Sequence, residues 1–183
     1  MMTSPYISKD EGSFELSEAD QVLLDSVLEW YNEDMDNVTS FLDTVKRKNG
    51  MSLRVIDWLV TNFSKTNSVT IETNGIPRDL NRDYQKNLNA YNKRNMDPFA
   101  RRRKIVVVIN KSGIIEKRST TVGQLNFFRW FGRNKVGEYL LSNRALVESH
   151  LKESEARKKF PKKNTVSTVT SSKTYKGKFV MSF

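Results

Sequence analysis

The chain has 183 residues, 37% of them hydrophobic and 28% charged, with a net charge of +10 and no cysteine. That length suits one domain with tails, and the lack of cysteine excludes disulfides, thiolate metal sites and cysteine nucleophiles. No apolar run approaches the ~18 residues a membrane span needs, and the opening MMTSPYISKDEGSFELSE lacks the charged-then-apolar layout of a secretion signal, which argues against secretion.

Residues 1–16 read as an extended arm with Tyr6, Ile7 and Phe14 as anchors. Ser17 has the chemistry of an N-cap, and Glu18 and Asp20 place negative charge in the first turn of the helix that follows. Val22, Leu23, Val27 and Trp30 give that helix an apolar side. A second helix starts at Asp36 or Asn37 and runs through Val38, Phe41, Leu42 and Val45. Lys46, Arg47 and Lys48 complement its C-terminus, and Gly50 is its expected cap. Ser52 opens a third helix whose Leu53, Ile56, Leu59, Val60 and Phe63 face inward. Residues 69–71 suit a short strand added to a hairpin further on, and residues 74–77 suit a loop.

Leu80, Tyr84, Leu88 and Tyr91 recur at helical spacing, with Asn and basic residues on the other face. Asp97-Pro98 is read as the stop of that helix, because a residue before proline is pushed out of the helical region. Residues 105–109 are an unbroken β-branched run, and Asn110-Lys111-Ser112-Gly113 is turn chemistry. Residues 114–118 then return, which predicts a β-hairpin. Thr121 and Gln124 have capping-box spacing at the start of a helix with Leu125, Phe128 and Phe131 on one face and Trp130 beside them. A long helix over residues 135–158 closes the body through Val136, Tyr139, Leu140, Val147 and Leu151.

From residue 160 the composition turns to Ser, Thr and Lys, too poor in apolar residues to offset its own ordering entropy. Residues 165–170 have β-propensity suited to a partner's sheet edge, and Phe179 and Phe183 suit apolar pockets. The expected architecture is α+β and predominantly helical: several helices around a small antiparallel hairpin or sheet, with extended N- and C-terminal arms. Its parts are an arm over 1–16, one compact domain over 17–158 and a basic tail over 159–183.

Charge is polarised along the chain. Residues 1–45 hold eleven Asp and Glu against one Lys, a net of −10, which leaves +20 on the remainder. Such an acidic head can dock on the basic body, within one molecule or between neighbours. An excess of twenty positive charges repels itself unless something neutralises it. Catalytic patterns are absent from the sequence. His150 lies among Glu148, Lys152 and Glu153 with no positioned partner. Glu33, Asp34, Asp36 and Asn37 lack the glycine and distal glutamate of a calcium loop, and no phosphate-binding glycine motif is present. No enzyme activity, metal or cofactor is expected.

Two strings of this chain also resemble a known family. The first runs through Tyr84, Leu88, Ala90, Tyr91, Lys93, Asp97, Pro98, Phe99, Arg101 and Arg102, and the second is residues 121–128. Together with residues 57–65 they resemble a small protein shared among the nucleocytoplasmic large DNA viruses, the giant viruses and those of algae included. The likeness covers roughly residues 57–151. That family often carries Cys where this chain has Ala100, so this position supplies no essential chemistry here. The resemblance implies a virion component, a minor capsid protein beneath the outer shell of an icosahedral particle assembled in the host cytoplasm.

Its partners would be the major capsid protein and other minor capsid proteins, with a second copy or an anionic inner membrane surface as further candidates. The contact residues expected are Arg101, Arg102, Arg103, Lys104, Arg129, Arg133, Phe160, Tyr175, Phe179 and Phe183. The rival reading is a viral nucleic-acid-binding protein for genome packaging or transcription. For it, Arg94, Lys117 and Arg118 would join the same arginines in one basic face, and Tyr91, Phe99, Phe127 and Trp130 would stack on bases. Against stacking, aromatic residues at helical spacing usually form core.

Overall fold

The computed structural model describes residues 5–159 apart from Asn74 and Ser112. Strand β1 (Tyr6–Lys9) is followed by α1 (Glu18–Glu33), α2 (Met35–Val45) and α3 (Leu53–Trp58), which passes through a π-helical turn (Leu59–Phe63) into α4 (Ser64–Thr66). A small hairpin of β2 (Thr70–Thr73) and β3 (Ile76–Asp79) leads into α5 (Leu80–Tyr91) and a 3-10 turn (Lys93–Asn95). The main hairpin, β4 (Ile105–Lys111) and β5 (Ile114–Thr120), feeds α6 (Val122–Arg133), α7 (Val136–Ser142) and α8 (Arg144–Lys159). The fold is α+β and mostly helical, as the sequence predicts.

Caps fix most of the helix starts. The side chains of Ser17, Ser52 and Thr121 accept from the backbone N–H three residues on, as expected for these residue types. Thr121 and Gln124 form only half a capping box. Gln124 Oε1 accepts from Thr120 Oγ1 at 2.8 Å, and its Nε2 donates to the Pro98 carbonyl at 2.7 Å. The second helix starts slightly earlier than expected, because Asp34 caps it and accepts from Asp36 N at 2.8 Å.

Four expectations are corrected. The strand that joins the main hairpin is β1, from the N-terminal segment, and gives the antiparallel order β1-β4-β5. Ile7 is buried there, and its free backbone edge is bonded by one side chain: Ile7 N donates to Asn32 Oδ1 at 2.8 Å, and Asn32 Nδ2 donates to Ile7 O at 2.9 Å. The segment over residues 69–71 instead belongs to the separate β2–β3 sheet, so the loop expected at residues 74–77 includes the start of β3. The helix with the Leu80–Tyr84 stripe ends at Tyr91 rather than at Asp97-Pro98, because Asn92 takes a positive φ of 59°. The long closing helix is two, broken at Asn143, with Lys135 in a left-handed conformation before α7.

Helix α6 is the centre of the molecule. Every residue from Val122 to Phe131 is buried, polar ones included. Aromatic rings surround it: Phe128 meets Phe41 at 5.5 Å between centroids, and Trp130 meets Tyr84 at 5.1 Å. Tyr31 of α1 donates its hydroxyl to the Leu125 carbonyl at 3.1 Å, and burial pushes its pKa well above the ordinary tyrosine value. On α1 the inward residues include Leu24 and Tyr31, whereas Val22 is exposed. Among the described residues, no helix is long and apolar enough to cross a membrane.

Candidate interaction surface

The chain between α5 and β4, residues 92–104, carries the basic run and is moulded against the N-terminus of α6. Gly123 makes the close approach possible, since a Cβ there would lie 2.3 Å from the Arg94 carbonyl oxygen. Asn126 Nδ2 donates to the Asn95 carbonyl at 2.8 Å, and Gln124 holds the Pro98 carbonyl. Asn92 has φ 59° and ψ 166°, outside the left-handed helical region that Asn favours, and its Oδ1 accepts from Arg94 N at 3.0 Å and Asn95 N at 3.2 Å.

Asp97 organises the next turn. Its buried carboxylate accepts from Phe99 N, Arg101 N and the Arg101 guanidinium, the closest contact being 2.8 Å. Burial pushes its pKa up, but the hydrogen bonds from Arg101 and Phe99 outweigh that and hold it below the ordinary carboxylate range. Asp57 on α3 goes the other way, raised mainly by burial. Tyr84 is pushed up to about 12 by burial and by the charges of Asp57 and Asp97. Ala100 has a φ of 52°, and its carbonyl accepts from the Lys104 ammonium.

The basic side chains then divide. Arg101 is paired with Asp97 and lies over the Phe99 ring at 4.7 Å. Arg103 lies over the exposed ring of Phe14 at 4.8 Å. Among the described residues Arg102 makes no ion pair, and it lines two cavities. One of about 460 Å³ is walled by Lys93, Asp97, Arg101 and Arg102. The other, about 380 Å³, includes Asp20, Arg94, Arg102, Arg103 and the α6 start. Residues of the first recognised string, Lys93, Asp97, Arg101 and Arg102, thus meet around one concavity.

The nine basic residues grouped in sequence do not form one face. Arg94 pairs with Asp20 at 3.0 Å, and Lys117 on β5 pairs with Asp10 at 2.9 Å. These pairs dock the acidic N-terminal part on the basic body within one molecule. Arg129 is buried inside α6's surroundings, and Arg133 with it lines a different cavity. Phe127 and Trp130 are core, so neither offers a face to a base. His150 is tied into the fold: Trp58 Nε1 donates to its Nδ1 at 3.2 Å, and Phe63 meets its ring edge-on at 5.3 Å. Phe160, Tyr175, Phe179 and Phe183 lie outside the described residues.

Asn92 and Asn126, which help build this surface, carry no sequence signal beyond polarity inside otherwise periodic stretches, and Gln124 is legible in the sequence only as a capping residue.

A family model described as "Family of unknown function (DUF7197)" matches residues 3–179. The chain belongs to that family. It is also 32% identical over 152 residues to "Uncharacterized protein L507" of Acanthamoeba polyphaga mimivirus, a match covering 79% of this chain and 58% of that protein. The family is therefore one with a giant-virus member, and the chain spans only a little over half the length of that relative. No solved structure matches the chain.

Proposed function

We propose that the chain is a non-enzymatic structural protein of the virion, a minor capsid protein. It bridges or cements major-capsid assemblies from the inner side of a large icosahedral shell. The observation that carries this reading is the connector over residues 92–104: exposed cations fixed on a rigid, hydrogen-bonded frame beside two open concavities. A charged surface of that kind suits acidic loops of neighbouring proteins. Of the four aromatic residues that base stacking would use, Phe127 and Trp130 are core while Tyr91 and Phe99 are partly buried, which weighs against the nucleic-acid alternative. The proposed partners are the major capsid protein and other minor capsid proteins, and the proposed location is the virion assembled in the host cytoplasm.

Cross-linking mass spectrometry on purified particles containing this chain tests the reading. Links from Lys93, Lys104 or the tail lysines Lys173, Lys176 and Lys178 to capsid proteins are the expected result. Links confined to genome-packaging or transcription proteins would overturn it and favour nucleic-acid work instead.

A further inference from the structure

A cavity of about 500 Å³ lies away from the connector and is walled by four parts of the chain. Trp30 and Glu33 come from the end of α1, and Asp83, Asn87 and Tyr91 form one face of α5. Asn126, Arg129, Trp130 and Arg133 form one face of α6, and Thr73 and Arg78 come from the β2–β3 hairpin.

Its charges are unevenly matched. Asp83 is the one buried carboxylate in the wall, and it is already engaged: it accepts from Trp130 Nε1 at 2.8 Å and from Arg78 Nη1 at 3.5 Å. Glu33 sits exposed at the rim. Arg129 is only 6% exposed, yet its hydrogen-bond partners are all neutral: Ser26 Oγ at 2.9 Å, Asn126 Oδ1 at 2.7 Å and Tyr91 Oη at 3.4 Å. Among the described residues no carboxylate lies within ion-pair distance of Arg129 or Arg133. A buried guanidinium without a counter-charge is costly, and proteins normally pair it. Desolvation and the nearby charge of Arg133 lower the pKa of Arg129, the direction expected where an anion is wanted.

We propose that this cavity binds the phosphate group of a small molecule, held between Arg129 at its floor and Arg133 and Arg78 at its mouth. A planar carboxylate is satisfied by one guanidinium fork. A tetrahedral phosphate carries more charge and more acceptor oxygens and can meet arginines on separate walls. The volume is far more than one phosphate fills and lies in the range of small-molecule sites. Tyr91, only partly buried, supplies aromatic wall for the remainder of such a molecule.

The cavity reports on itself, because it contains two of the three tryptophans. The test is a titration of the full chain with inorganic phosphate at constant ionic strength, read by tryptophan fluorescence. Arg133→Gln, Arg102→Gln and an acetate titration run alongside. Both substituted residues are exposed, so the variants fold. The expected result is a saturable change, weakened about tenfold or more in Arg133→Gln by loss of a charge-assisted bond, and unaffected in Arg102→Gln. A response that fails to saturate, or that Arg102→Gln weakens as much as Arg133→Gln, overturns the site. An equal response to acetate overturns the assignment to phosphate.

Discussion

Helix α6 buries its polar side chains from Gln124 to Arg129 and the connector over residues 92–104 exposes its cations, although the two are packed together. On α6, Gln124, Asn126 and Arg129 each spend their hydrogen bonds inside the molecule. On the connector, backbone groups are satisfied by Asn92, Asp97 and α6, which leaves Arg102 and its neighbours turned to solvent. The same residue types therefore serve as frame in one place and as surface in the other. What decides is whether a neighbouring element closes over them.

That contrast can be broken from the frame side first. Trp130→Ala should cost about 3–5 kcal/mol, since it removes a large core ring and leaves the buried Asp83 without its 2.8 Å donor. Urea unfolding would show this as a large drop in midpoint, and an unchanged midpoint would remove α6 from the centre of the fold. Gly123→Ala should cost about 1–3 kcal/mol, as expected for overpacking, because the new methyl would meet a backbone carbonyl that is itself held in place. Thermal denaturation reads that loss.

Asp97→Asn acts where frame and surface meet, and should cost about 1–3 kcal/mol through weakened hydrogen bonds. Its pH dependence has a definite sign. A carboxylate whose folded pKa is lowered stabilises the fold above its unfolded pKa of ~4 and stops doing so as pH falls through the lower folded value. Asp57, raised by burial, has the opposite slope. The difference between wild type and Asp97→Asn should therefore be largest near neutral pH and shrink in acid. A difference that does not change with pH would contradict the account. The smallest effect is expected from Arg102→Gln combined with Arg103→Gln, within ~0.5 kcal/mol per exposed site by calorimetry.

Much of the fold was legible because local chemistry set it. Residues 105–109 are a β-branched run, followed by turn residues and a returning segment over 114–118, and they became β4 and β5. Ser17, Ser52 and Thr121 cap helices because their hydroxyls reach a backbone N–H that nothing else satisfies. What failed was non-local. Nothing near Ile7 says that it pairs with Ile109 across a hundred residues. The stop at Asn92 was hidden because Asp97-Pro98 offers a stronger local signal further on. For the surface, the cations of the connector were legible as a run, but the fate of Arg129 was not. Its burial depends on Ser26 of α1 and Tyr91 of α5, elements far apart in sequence.

On the proposed reading, the connector's cations serve contact rather than folding. The most direct measurement replaces Arg102, Arg103 and Lys104 together by Gln, leaves Arg101 to hold Asp97, and compares the melting temperature with the amount incorporated into purified particles. The expected result is a melting temperature within a few degrees of wild type, as for exposed substitutions of ~0.5 kcal/mol or less each, and a loss of most of the incorporation. Incorporation at the wild-type level by a folded variant would contradict it.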